Sequence, residues 1–224
     1  MKQIYSPNFG DRAGGVALDY IVVHYTGMRD AQSAMMRMCD PAAKVSAHYV
    51  IDEDGSTVQL VAEEKRAWHA GMSFWRGITD INSASIGIEL INPGHEFGYR
   101  AFPAAQIEAL KKLMSDIATR HEINKATGIL GHSDVAPSRR QDPGELFPWK
   151  ELAAAGFGVW PAPKDYAPTA EAEVEALLRA IGYDTTAPRD ALLAFQRRFH
   201  PENLTGVADA ETVARLRAVR ALMP

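Results

Sequence analysis

Three short runs of apolar and β-branched residues constrain the fold of this chain more than any other feature of its sequence. They are LDYIVVHYTG, ASIGIELIN and TGILGH, and each is bounded by polar residues or glycine. Runs of this length and composition are typical of buried strands. Each carries an ionisable residue at or near its end, namely His24, Glu89 and His132. A sheet built from these runs therefore brings polar chemistry to strand ends, where a rigid scaffold meets adaptable loops.

Helical and hairpin patterns fill the rest of the first two thirds of the chain. Asp30 precedes a short amphipathic helix, and residues 103–121 repeat apolar side chains at helical spacing. SAHYVIDEDGSTVQLVA predicts two strands joined by a turn at Asp54 and Gly55. Strands interleaved with helices predict an α/β fold with a mixed central sheet flanked by helices. Gly87, inside ASIGIELIN, indicates that another group approaches the backbone closely.

A proline-rich, aperiodic segment at residues 158–168 is predicted to be a linker. Residues 1–157 before it form the α/β domain in this interpretation. Residues 169–224 after it contain three amphipathic helical patterns and no strand pattern. We expect a small three-helix domain of about 55 residues, which is marginal in size for stability on its own.

Composition and charge exclude several kinds of partner. The net charge of -4 argues against nucleic-acid binding through a broad basic surface. No segment approaches the roughly 20 apolar residues of a membrane-spanning helix. The first residues resemble neither a signal peptide nor a lipidation site, so a cytoplasmic protein is expected if Met1 is the natural start. The periplasm or the cell wall is the alternative if a leader has been removed, and the sequence does not indicate an oligomeric state.

His24, His132 and Asp142 are candidate metal ligands. The last two belong to GHSDVAPSRRQDPGELFPW, a stretch with no strand or helix period that directly follows the third apolar run. Two imidazoles and one carboxylate are a common ligand set for catalytic zinc, and a separate carboxylate such as that of Glu89 could take a proton from water. Neither an HExxH helix nor a CxxC pair accompanies them. From the residues alone, His24 as an ordinary core histidine stays open.

Five motifs give the chain a family resemblance. IVVHYT, SAHYVI, EEKRAWHAG, SIGIEL and GHSDVAPSRRQDPGELFPW occur in the order seen in the type-2 amidase family of zinc-dependent N-acetylmuramoyl-L-alanine amidases. Over about residues 15–155 the chain is similar to the AmpD/AmiD branch of that family. The later segments LLRAIGYD, ALLAFQRRFHP and TGVADAETVARL resemble the three-helix peptidoglycan-binding domain that often follows such amidases.

The resemblance implies one zinc ion per chain on His24, His132 and Asp142, with Glu89 as the catalytic carboxylate. It implies hydrolysis of the amide between N-acetylmuramic acid, or its anhydro form, and L-alanine in peptidoglycan or muropeptides. In the family a lysine usually stands two residues before the ligand aspartate, where this chain has Arg140. Arginine keeps the positive charge and can stabilise an oxyanion, but it cannot donate a proton as a lysine can.

Three further residues are candidate substrate contacts. Trp68 and His69 lie in the motif that borders the substrate groove in the family, and Lys44 could meet a peptide carboxylate. Trp68 would equally suit a core, and Lys44 could simply be solvated. The other histidines that belong to no motif, His95, His121 and His200, are expected at the surface.

Two rival functions stay open at this point. One is a recognition protein that binds muropeptides without cutting them, which the departure at Arg140 allows and the full ligand set disfavours. The other is a zinc peptidase that cuts within the stem peptide, which the motif pattern disfavours. The sequence does not distinguish anhydro-muropeptides from polymeric peptidoglycan as the substrate.

Overall fold

The computed structural model describes residues 2–164, 166–167 and 170–223. Its strands are β1 (Lys2–Gln3), β2 (Phe9–Asp11), β3 (Tyr20–Tyr25), β4 (Tyr49–Ile51), β5 (Thr57–Gln59), β6 (Lys65–Ala67), β7 (Ser85–Leu90) and β8 (Ile129–Gly131). Its helices are α1 (Ala31–Cys39), α2 (Ile81–Ala84), α3 (Gly94–Phe97), α4 (Ala104–Arg120), α5 (His132–Val135), α6 (Trp149–Ala154), α7 (Glu171–Ile181), α8 (Pro188–Phe199) and α9 (Ala210–Leu222).

A mixed six-stranded sheet in the order β1-β5-β4-β7-β3-β8 forms the centre of the fold. The three strands predicted from the apolar runs, β3, β7 and β8, are neighbours and run parallel. The predicted hairpin is the antiparallel pair β4 and β5. The α/β fold with a mixed sheet is therefore confirmed. Because β3, β7 and β8 are parallel, their carboxyl ends meet at one edge, which is where open α/β sheets commonly bind ligands.

Helix α4 covers one face of the sheet, and it matches the helix predicted at residues 103–121. Its apolar side chains pack against inward-facing residues of β3 and β7 in one buried cluster, as its helical spacing requires. At 17 residues α4 is the longest helix that the structure describes. None of the helices in the described part of the chain is long and apolar enough to cross a membrane. The residues that α4 contributes to the cluster are Ile107, Leu110, Leu113, Met114, Ile117 and Ala118.

Three helices, α7 to α9, occupy the end of the chain where three helical patterns were predicted. They do not pack among themselves alone. Phe195 and Leu192 of α8 belong to the same buried apolar cluster as Val22 of β3 and Leu130 of β8. Of the predicted linker and the predicted segment that follows it, Asp165, Pro168, Thr169 and Pro224 lie outside the described residues. The three helices therefore help to cover the second face of the sheet.

Candidate metal centre and cleft

Three ionisable side chains from distant parts of the chain meet at the carboxyl edge of the sheet. β3 carries His24, α5 begins with His132 directly after β8, and the following loop carries Asp142. The Nδ1 atoms of the two histidines are 2.9 Å apart, and Oδ2 of Asp142 lies 3.1 Å from one and 3.0 Å from the other. All three residues are buried. Two nitrogens and one carboxylate oxygen thus surround a single point.

The second nitrogen of each imidazole has a partner of its own. Nε2 of His132 lies 3.1 Å from the backbone oxygen of Ala70, and Nε2 of His24 lies 3.0 Å from Nδ1 of His69. A carbonyl oxygen only accepts, so neutral His132 donates from Nε2 and presents an unprotonated Nδ1. With His24 in the same tautomer, two nitrogen lone pairs and a carboxylate face one another. Such a donor set fits a divalent cation such as zinc.

The protonation states of His24 and Asp142 also suit cation binding. Burial, reinforced by the neighbouring His132, lowers the pKa of His24 to about 4. Burial by itself raises the pKa of Asp142, but its interactions with His132 and His24 outweigh that effect and hold the pKa well below its usual range. At pH 7 the imidazole of His24 is neutral and the carboxyl group is ionised, which are the forms that ligate metals.

Glu89 lies beside the ligand set on the neighbouring strand. It is paired with His24 in the register of β3 and β7, so both side chains leave the same face of the sheet. Burial, with a contribution from the Asp142 carboxylate, raises the pKa of Glu89 to about 8, against a lowering effect of Arg140. Its Oε2 atom is buried without a hydrogen-bond partner among the described residues. A carboxyl group that titrates near neutral pH can both accept and donate a proton.

The ligand set opens into a cleft of about 330 Å³ that three arginines line. The guanidinium of Arg139 is held by the backbone oxygens of Ala70 and Met72. Within the described ranges, the side chains of Arg37 and Arg140 have no hydrogen bond or ion pair. Both residues are exposed. Arg37 and Arg140 are therefore available to an anionic ligand or to charge that develops during a reaction.

The three predicted substrate contacts occupy different positions. Trp68 is partly exposed and lines the cleft. Lys44 is exposed and does not line the cleft in the part of the chain that the structure describes. Its neighbour Val45 does. His69 borders the cleft too, but it is only 8% exposed and its ring contacts His24. His69 thus faces both the ligand set and the cleft.

Sequence reasoning missed the residues that hold His69 in place. Oδ1 of Asn82 accepts hydrogen bonds from the backbone amides of His69 and Ala70 at 3.0 and 2.8 Å. Oγ of Ser85 lies 3.3 Å from Nε2 of His69. The sequence did contain a signal at Gly87, where a Cβ atom would lie 2.4 Å from Cγ of His69. The predicted close approach to this glycine is confirmed, and the approaching group is the imidazole of His69.

The expected surface position of the remaining histidines needs correction. It is wrong for His200, which is 5% exposed at the end of α8 because the last helix covers it. His95 is only partly exposed, lines the cleft and lies 2.7 Å from the hydroxyl of Tyr25. His121 is partly exposed and pairs with Glu63 at 2.7 Å. Single histidines carry no sequence pattern, so their partners are set by tertiary packing alone.

Comparison with known proteins gives one consistent result. The sequence model described as Amidase_2, N-acetylmuramoyl-L-alanine amidase, matches residues 14–145. N-acetylmuramoyl-L-alanine amidase AmiD of Escherichia coli (strain K12) is 38% identical over 222 residues, which is 87% of this chain and 79% of that protein.

Two solved structures resemble the whole chain. The complex of AmiD from E. coli with anhydro-N-acetylmuramic acid-L-Ala-D-γ-Glu-L-Lys has a TM-score of 0.82 and 34% identity, and the match covers 95% of this chain and 96% of that one. The complex of AMPDH3 from Pseudomonas aeruginosa with an anhydromuramic pentapeptide has a TM-score of 0.81 and 31% identity, with 96% of both chains covered. With such coverage, the similarity extends beyond the sheet to the C-terminal helices.

Proposed function

The chain belongs to the N-acetylmuramoyl-L-alanine amidase family, and from this we propose that its cleft is a zinc-dependent active site. The enzyme hydrolyses the amide bond between N-acetylmuramic acid, or its anhydro form, and L-alanine in muropeptides. His24, His132 and Asp142 would hold one zinc ion per chain. The observation that carries the proposal is the meeting of these three side chains around one point, with Glu89 beside His24 on the same face.

In the proposed reaction, the chain's own groups move one proton. Zinc, when bound, would supply Lewis acidity toward the substrate carbonyl and would make a water molecule more acidic. Glu89, in its ionised form, removes a proton from the attacking water, and its Oε2 atom, which has no hydrogen-bond partner in the described part of the chain, can accept it. As the C–N bond breaks, the same carboxyl group passes the proton to the departing alanine nitrogen. The water oxygen ends in the lactyl carboxyl group, which releases the second proton of the water to solvent as it ionises, and L-alanine leaves at the head of the stem peptide with a free amino group.

We assign oxyanion stabilisation to Arg140. Its side chain lines the cleft, and its charge acts on both Glu89 and His24. A guanidinium offers a fixed positive charge and several donors, so it can stabilise a tetrahedral oxyanion without giving up a proton. Glu89 must then carry out both proton transfers, from the water and to the departing nitrogen, because Arg140 cannot serve as an acid.

The substrate side of the proposal rests on the chemistry of the cleft walls. Trp68 offers a flat apolar surface to a sugar or a peptide, and Arg37, which has no ion pair among the described residues, offers its charge to a stem-peptide carboxylate. Lys44 would contact substrate only at the margin, through a longer stem peptide. The ring of His69 is hydrogen-bonded to that of His24, so His69 would orient His24 as a metal ligand. It would also border the bound substrate. We propose that α7, α8 and α9 add contacts to polymeric peptidoglycan.

The decisive experiment is product analysis. Purified protein is incubated with an anhydromuramyl tetrapeptide, and the products are identified by mass spectrometry. The assay is run with zinc-loaded protein, with chelator-treated protein, and with chelator-treated protein to which zinc has been added back. We expect the intact sugar and an intact tetrapeptide that begins with L-alanine, with activity lost on chelation and restored by zinc. Fragments cut within the peptide would indicate a peptidase, and binding without turnover would indicate a recognition protein.

Glu89→Gln tests the assigned carboxylate in the same assay. We expect turnover to fall by roughly 10²- to 10⁴-fold, the range that a general acid–base group contributes, with zinc content unchanged. Glu145→Gln is the matched control, because Glu145 is a partly buried carboxylate paired with His95 outside the ligand set. Equal turnover in the Glu89 variant and the wild type would disprove the assignment.

A further inference from the structure

A buried ion pair joins the C-terminal helices to the segment that carries two of the proposed ligands. Arg198 of α8 is 3% exposed, and its Nη1 atom lies 2.5 Å from Oδ2 of Asp134, which is fully buried in α5. The hydroxyl of Tyr183, between α7 and α8, donates to Oδ1 of the same carboxylate at 2.8 Å. Both oxygens of Asp134 are thus held by the C-terminal part of the chain.

Asp134 belongs to the same helical turn as the ligand His132. Its Oδ2 atom also accepts from the backbone amide of Gly131, directly before His132, at 2.8 Å. The backbone amide of Ser133, between them, donates to the carbonyl oxygen of Asp142 at 2.8 Å. Three consecutive residues therefore have three roles. His132 is a proposed ligand, Ser133 holds the backbone of the ligand Asp142, and Asp134 pairs with Arg198 of the C-terminal helices.

Arg198 also covers the open edge of the sheet. β8 is the last strand in the sheet order, so among the strands that the structure describes only β3 pairs with it. Nη2 of Arg198 donates to the carbonyl oxygen of Ile129 in β8 at 3.1 Å. The guanidinium also lies over the ring of Trp149, 4.0 Å from its centroid, so it packs against the indole in a cation–π contact. Because Arg198 contacts both β8 and Trp149, it restrains β8, the strand that directly precedes His132. The position of His132 is restrained with it.

We infer that Arg198 and Tyr183 are positioning residues for the metal centre, acting through Asp134 on His132 and Asp142. The inference rests on the proposed zinc site. It gives the C-terminal helices a role in the reaction that does not depend on their binding peptidoglycan. Buried partners that orient metal ligands contribute to affinity because they reduce the freedom of the ligands before the ion binds.

The test measures zinc affinity in the full chain by competition with a chromogenic chelator. Arg198→Met keeps an unbranched apolar stem and removes the guanidinium with its charge and donors. We expect it to weaken zinc affinity by about 10-fold and to alter the visible spectrum of the cobalt-substituted protein. Arg215→Met is the matched control, since Arg215 of α9 pairs with Glu211 of the same helix and with Glu202 in the turn before it. The control should bind zinc within twofold of wild type.

A second variant keeps the inference testable if Arg198→Met does not fold. Tyr183→Phe removes only the hydroxyl that donates to Asp134, and we expect zinc affinity to fall about threefold. Thermal unfolding of each chelator-treated protein separates a loss of stability from a loss of affinity. Wild-type affinity in Tyr183→Phe, or in a folded Arg198→Met, would overturn the inference alone. A wild-type protein that binds no zinc would overturn the proposed metal centre itself.

Discussion

At the scale of single residues, the direction of each imidazole decides what the site can bind. His24 and His132 both turn Nδ1 toward Asp142, because Nε2 of each is engaged by His69 or by the oxygen of Ala70. A flipped ring would place a protonated nitrogen at the centre and repel a cation. The outward partners are therefore as important to the ligand set as the ligands themselves.

The departure at Arg140 leads to a prediction about turnover. Arg140→Ala should lower kcat by roughly 10²- to 10³-fold, as the loss of one oxyanion-stabilising donor does in other hydrolases. Arg140→Lys should retain most of the activity, because a lysine also places positive charge at this position. Steady-state kinetics on a soluble muropeptide measure both variants.

Arg37→Ala is the control for Arg140, since Arg37 is another exposed arginine of the cleft without an ion pair among the described residues. Its loss should raise KM and leave kcat nearly unchanged, because it would contact bound substrate equally before and during the reaction. If Arg37→Ala lowers kcat as much as Arg140→Ala does, the overall positive charge of the cleft explains the loss of turnover. A specific contact between Arg140 and the oxyanion would then be ruled out as its cause.

At the scale of elements, β7 must leave room for His69. A Cβ atom at Gly87 would lie 2.4 Å from Cγ of that ring, so Gly87→Ala forces the ring away from His24. We expect a loss of about 1–3 kcal/mol in unfolding free energy, as overpacking causes, together with weaker zinc binding. Denaturant unfolding and chelator competition give the two quantities.

Gly14→Ala is the matched glycine control for Gly87. Apart from its chain neighbours, no heavy atom of the described residues lies within 4 Å of a Cβ built at Gly14, so the added methyl group meets open space. Its unfolding free energy and zinc affinity should equal those of wild type. If Gly87→Ala behaves like Gly14→Ala, the ring of His69 moves freely and does not orient His24.

Glu63 ties the segment between β5 and β6 to the end of α4. Burial by itself raises the pKa of Glu63, but hydrogen bonds from Arg120, Tyr49 and His121 outweigh it and lower the pKa to about 2, from an ordinary value of 4.5. Because the pKa of Glu63 is lower in the folded state than in the unfolded state, its ionised carboxylate stabilises the fold at pH values above the unfolded-state pKa. That stabilisation is lost as the pH falls from about 4.5 toward 2.

Glu63→Gln should therefore lower Tm most at neutral pH, and the difference from wild type should shrink as the pH falls below 4.5. Thermal unfolding of the chelator-treated proteins between pH 7 and 3 measures this. Glu108→Gln on α4, an exposed carboxylate paired with Lys111, is the control and should change Tm little at any pH. A Tm difference for Glu63→Gln that is constant across the range would contradict the assigned ion pairs.

At the scale of the whole molecule, the C-terminal helices and the sheet share buried surface. Removing everything after Pro163 would uncover Val22 and Leu130 and leave the carboxylate of Asp134 without Arg198 and Tyr183. We expect the shortened chain to unfold at a much lower temperature and to bind the dye ANS, since both an apolar face and a buried charge lose their partners.

The control for this truncation is Val207→Ser in the full chain, which changes a residue that is 63% exposed in the same helical part. Its Tm should match that of wild type. A truncated protein that also retains the wild-type Tm would show that the C-terminal helices form an independent domain, as the sequence alone suggested.

Local patterns account for what could be predicted. The helical spacing of residues 103–121, the turn at Asp54 and Gly55 and the cap at Asp30 each depend on neighbours a few positions away, and the structure has α4, the β4–β5 hairpin and α1 at these places. The family motifs identified the reaction because they contain the chemistry itself, in residues spread over five short stretches. The interleaving of strand and helix patterns, with the hairpin, also predicted the α/β fold with a mixed sheet, which the structure confirms.

By itself, then, the sequence determined the principal strands and helices, the family and the reaction, since periodicity, turn chemistry and motifs are recorded in consecutive residues. Only the tertiary structure decided which partners hold the candidate site. Asp134 and Arg198 are 64 positions apart, and His24 and His69 are 45 apart. Each pair forms because two elements pack together, and no local pattern specifies which face of one element meets which residue of another. The packing of the C-terminal helices against the sheet follows from the same long-range contacts.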